Sequence, residues 1–134
     1  MTPEKTLSDA IAAIADRGRQ RDTSTDGTHK ERSMARCVAA FNAIEGTNLT
    51  ERQGWAFMQI LKMARAGATA RNGKANVDDY VDGAAYAALA CEAAVEATLN
   101  KQADREEEHY HSVFAGIRAA AATQSAEPAP EAAA

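Results

Sequence analysis

Aromatic side chains make up only 5% of the 134 residues, with one Trp, three Tyr and three Phe. That excludes the row of stacking platforms that a single-stranded nucleic-acid groove needs, and it leaves little bulk for a core. Two cysteines, Cys37 and Cys91, are too few for a disulfide framework. Both stand in apolar helical contexts, which predicts reduced thiols within the core. No apolar run approaches the roughly 20 residues that a bilayer demands. The first twenty residues, MTPEKTLSDAIAAIADRGRQ, mix acids with bases around a short apolar stretch, so no secretory signal is read and a cytoplasmic protein is predicted. A net charge of −4 excludes a general nucleic-acid coat. There is no Walker loop, no GxGxxG and no GxSxG. No stretch alternates β-branched and polar residues, which removes the signal for strands.

What the chain does have is alanine and helix punctuation. Leu7, Ile11 and Ile14 recur at helical spacing after Thr6, with Gly18 as the expected stop and a polar loop from Arg19 to Gly27. Thr28 with Glu31, and Thr50 with Gln53, have the spacing of capping boxes. The first opens a stripe of Met34, Cys37, Val38, Phe41 and Ile44 that Gly46 ends. The second opens a stripe of Trp55, Met58, Leu61, Met63 and Ala64 that is expected to end near Gly67. After a small basic loop, Asn76 with Asp79 marks another helix start. That helix is rich in Gly83, Ala84, Ala85, Ala87 and Ala88, small residues that allow close helix approach. It either runs on through residues 101–114 or breaks near Asn100. The expectation is an all-α antiparallel bundle of four or five helices in one domain over residues 1–118, followed by a disordered Ala/Pro/Glu tail over 119–134. So thin a core predicts a homo-oligomer.

Charge is divided unevenly. Residues 1–76 carry a net +4 and residues 77–134 a net −8, a distribution that suits head-to-tail association or an anion site on the first half. Lys62 and Arg65 share one face of the third helix, while Asp79, Asp82 and Tyr86 share one face of the fourth. An antiparallel pair of these helices would bring the two faces together. The arrangement suits a phosphate site built from Lys62 and Arg65. It equally suits a salt-bridge lattice between the helices. His109 and His111, two apart amid Glu106, Glu107 and Glu108, make a poor metal pair and read as a solvated face. His29 reads as structural. Arg17, Arg19 and Arg21 form a short basic run suited to phosphate or RNA contacts, the latter without the aromatic platforms of a nucleic-acid groove.

The run HKERSMARCVAAFNAIEGTNLTERQGWAFMQILKMARAG, followed by NVDDYVDGAAYAALACEAA, resembles a small, uncharacterised family of phage and prophage proteins over residues 29–95. That family is distantly similar to the MazG-type all-α nucleotide pyrophosphohydrolases, whose EExxE and ExxD motifs hold Mg²⁺ on a nucleoside triphosphate. Asp79 and Asp82 match the second motif. The first falls on Met58, Gln59 and Lys62, which carry no carboxylate. The resemblance therefore implies a MazG-like fold and direct binding of a nucleotide or cyclic nucleotide by Gln59, Lys62, Arg65, Asp79, Asp82 and Tyr86. In that reading the protein has no cofactor and no catalytic residue, and it sequesters its ligand in an anti-defence role. Two alternatives stand beside it: a pyrophosphohydrolase-like enzyme with an altered site and Mg²⁺, or a helical interaction protein without a ligand.

Overall fold

The structure, a computed structural model, describes residues 1–21 and 33–124. These residues form four helices and no strand: α1 (Pro3–Arg21), α2 (Ser33–Glu45), α3 (Glu51–Arg71) and α4 (Val77–Gln124). The chain is all-α. It divides into two compact units, Met1–Val95 and Glu96–Ala134. None of the described helices is long and apolar enough to cross a membrane.

Local signals set most of the boundaries. At the start of α3 the Gln53 amide N–H donates to Thr50 Oγ1 at 3.3 Å, and the Thr50 N–H donates to Gln53 Oε1 at 2.8 Å, so the capping box forms. At its end Gly73 N–H donates to the Ala70 carbonyl and Lys74 N–H to the Thr69 carbonyl. This is a Schellman stop, and its left-handed position is taken by Gly73 at φ +68°. The helix ends there and not near Gly67, because an internal glycine costs only about 1 kcal/mol relative to alanine and good helix formers follow it. The same reason carries α1 through Gly18 to Arg21. No break occurs near Asn100, and α4 continues past residue 119 to Gln124, since an alanine run favours helix. The rest of the expected tail, residues 125–134, and the Thr28–Glu31 box with His29 lie outside the described residues.

In the first unit, α3 and α4 pair antiparallel. Trp55 stacks on Tyr86, Lys62 meets Asp82, and Arg65 meets Asp79, so residue numbers rise on one helix as they fall on the other. Helix α2 packs on α3 where Gly54 omits a side chain. A Cβ there would lie 2.5 Å from Met34 Sδ and 2.8 Å from Val38 Cγ2. The apolar core is small: Ala10, Val38, Trp55, Ala66, Ala85 and Leu89.

Two expectations about that core need correction. Cys37 and Cys91 are exposed. They flank the buried positions Val38 and Leu89 without sharing their direction, because adjacent and second-neighbour residues on a helix point elsewhere. The apolar stripe of α3 does not define its buried face either. Trp55 is buried, but Leu61, Met63 and Ala64 are exposed, and the inward positions are Trp55, Lys62 and Ala66. The stripe of α2 is likewise open at Phe41 and Ile44.

Candidate functional site

A lysine turned inward needs counter-charge, and α4 supplies it. Lys62 is 7% exposed, Asp79 3% and Asp82 6%. The Lys62 ammonium donates to Asp82 Oδ2 at 2.6 Å and lies 3.4 Å from Asp78 Oδ2 and 3.5 Å from Asp79 Oδ1. Asp78, Asp79 and Asp82 fall in the first turns of α4, where the helix dipole favours carboxylates. Asn76, just before that helix, donates its side-chain amide to Asp79 Oδ2 at 2.9 Å. Asp79 Oδ1 is buried and accepts no hydrogen bond from the described residues. It is held instead by the longer ionic contacts to Lys62 and, at 3.6 Å, to Arg65 Nε.

Sequence reasoning missed two residues of this cluster, Asp78, next to the nominated Asp79, and Arg17. From α1 its Nη2 donates to Asp82 Oδ1 at 2.5 Å, and its guanidinium sits 5.4 Å from the centre of the Tyr86 ring. Tyr86 in turn stacks on Trp55 at 5.7 Å with 21° between the planes, and Trp55 Nε1 donates to Glu51 Oε1. A basic run was visible at Arg17, Arg19 and Arg21. Nothing local said that Arg17 would reach across 65 residues, while Arg19 pairs with Asp16 one turn away.

Among the described residues the cluster balances electrostatically, with Arg17, Lys62 and Arg65 facing Asp78, Asp79 and Asp82. Burial alone would drag the Lys62 ammonium down. The hydrogen bonds and charges of Asp82 and Asp78 outweigh it, and its pKa is raised above the ordinary lysine value. Asp82 mirrors this: burial pushes its carboxyl up, but Lys62 and Arg17 more than reverse the push and hold it below the usual carboxylate range. Both groups are therefore charged at neutral pH.

Of the six residues the sequence nominated, the structure gathers Lys62, Asp79 and Asp82 into the buried centre. Arg65 stays at the margin, with its side chain 56% exposed. Tyr86 joins through the aromatic stack. Gln59 does not touch the cluster by any described hydrogen bond. It lines an adjoining cavity of about 370 Å³ together with Met63, Gly67, Asp79 and Tyr80. No group of three or more His, Cys, Asp or Glu among the described residues has the arrangement to hold a metal ion.

A domain of unknown function, DUF6378, matches residues 6–94. The chain belongs to this family. The match spans α1 to α3 and the first part of α4, so it includes Arg17, Lys62, Asp79 and Asp82 and ends one residue before the close of the first compact unit. No curated protein and no solved structure gave a match to the chain.

Proposed function

We propose that this protein is a helical assembly module that works by self-association, with the Arg17–Lys62–Asp79–Asp82 lattice fixing the helices that present its apolar surface. The observation that carries this reading is the outward face of α3. Phe57, Ile60 and Leu61 are 67%, 63% and 40% exposed at helical spacing, on the same helix that buries a lysine. Apolar side chains grouped on one face in water mark an interaction surface. Among the described residues the buried charges, for their part, are matched by opposite charges. Sedimentation of the full chain at micromolar concentration should give twice the 14.2 kDa chain mass or a higher multiple. A stable monomer overturns the reading.

Arg65 favours a second reading, nucleotide binding. Its guanidinium is half in water, its described ionic contact is long, and a cavity with Gln59 and Tyr80 lies beside its partner Asp79. Under that reading the likeness to phage proteins and to MazG-type enzymes has its use, and a phosphate competes with Asp79 for Arg65. The cost is release of a carboxylate that is 99% buried. Calorimetry with linear and cyclic nucleotides, with and without Mg²⁺, tests it. Metal-independent binding supports sequestration, Mg²⁺-dependent binding supports the altered enzyme, and no binding leaves the assembly module.

A further inference from the structure

Two apolar features of the described residues are complementary in form. One is concave: a groove of about 490 Å³ between α2 and α3, lined by Met34, Cys37, Phe41, Phe57 and Met58 with Gln53 as its single amide. A cavity on the order of 150 Å³ accepts a benzene-sized ring, so this groove has room for an aromatic anchor and aliphatic neighbours. Its two methionines are unbranched and adjust to the shape of what enters. The other feature is convex. In the second unit, Tyr110, Val113, Phe114 and Ile117 are 60%, 45%, 41% and 57% exposed. Their spacing is i, i+3, i+4 and i+7, the anchor pattern of a helix that lies in a groove. The Tyr110 and Phe114 rings already touch, 4.4 Å apart at their centres, as one composite knob.

Charge selects the pairing. Apart from Lys62 and Arg65, which the carboxylates of α4 neutralise, residues 33–71, which build the groove, carry Arg36, Arg52 and Arg71 against Glu45 and Glu51, a net +1. Residues 96–124, which carry the knob, have five Asp/Glu against three Lys/Arg, with Glu106, Glu107 and Glu108 one turn before Tyr110. Opposite net charges steer the two surfaces together, whereas two acidic distal helices repel each other.

We infer that the Tyr110–Ile117 face of one copy seats in the α2–α3 groove of a second copy, reciprocally. Exchange in both directions closes the contact as a two-fold dimer. This rests on the assembly reading and names the surfaces that perform it.

The experiment uses the full chain and two substitutions at exposed positions, Phe114→Asp on the knob and Phe41→Asp in the groove. Each is expected to weaken dimerisation roughly 30-fold or more, the scale of a central anchor. Mixed together they should recover a heterodimer, because one intact knob then meets one intact groove. Loss with Phe114→Asp alone would mean that distal helices pair with each other, and would overturn the inference. So would a dimer indifferent to both changes, although the assembly reading would then survive. A monomeric wild-type protein would remove both. Cys37 provides a check that keeps both aromatic anchors. In a Cys91→Ser background, Val113→Cys treated with a mild copper oxidant should give a covalent dimer whose cross-linked peptides join positions 37 and 113. Cross-links confined to 113–113 would overturn the inference.

Discussion

Helix α4 contains two stretches of opposite fate. Its first part, residues 77–95, turns Asp79, Asp82, Ala85 and Leu89 inward. Its second part, residues 96–124, has no residue classed as buried where side chains are described, although it carries Leu99, Tyr110, Val113, Phe114 and Ile117. The first stretch thus buries carboxylates and the second exposes aromatics. Hydrophobicity alone does not sort inside from outside. A carboxylate goes inside when cations from other helices meet it there, and an apolar side chain stays outside until another surface covers it.

Lys62→Met should have the largest effect on the buried part of α4. With the ammonium gone, Asp79 keeps Asn76 and the marginal Arg65, and Asp82 keeps only Arg17 as a described partner. Breaking a buried pair by removing one partner costs about 3 kcal/mol or more, and chemical denaturation should show a loss of that size. An unchanged or raised midpoint would mean that the lattice does not hold the first unit together.

Leu89→Ala comes next, at about 2–3 kcal/mol, because the side chain is 4% exposed and its removal leaves a cavity. A loss below 0.5 kcal/mol would show that the first stretch is no better packed than the second.

The pH dependence of stability is smaller and has two edges. Asp82 has a lowered pKa when folded, so its contribution is complete above the ordinary value of 3.8 and fades as pH falls below it. The pKa of Lys62 is raised, so its contribution is complete below the ordinary value of 10.5 and fades as pH climbs above it. For these two groups stability should be flat between those values, and in Lys62→Met the alkaline edge should vanish. Persistence of that edge would assign it to another group.

The smallest effect sharpens the contrast from the other side. Val113→Ala should change the stability of a dilute monomer by less than about 0.5 kcal/mol, as surface substitutions do. A larger loss at high dilution would mean that Val113 packs within its own chain.

Much of the helix pattern was legible because it is local. Thr50–Gln53 and the Asn76 start each act through atoms a few residues away, so spacing alone announces them. The pairing of Lys62 with Asp79 and Asp82 was legible for a related reason: a short connection forces α3 and α4 to run antiparallel, and the two i, i+3 pairs then face each other. Glycine misled at Gly18 and Gly67, where its cost in a helix is small enough for neighbouring residues to override.

The helical character of the chain, the starts of α3 and α4, and the charges able to meet between them are encoded locally, in bonds within a turn or across a tight connection. Packing between distant segments turns Lys62 inward and Phe57 outward on α3, leaves Cys37 and Cys91 exposed, and brings Arg17 to the lattice from 65 residues away. Those outcomes depend on which helix covers which face. That choice is made by the summed burial and charge of segments far apart in the chain, and no local pattern encodes it.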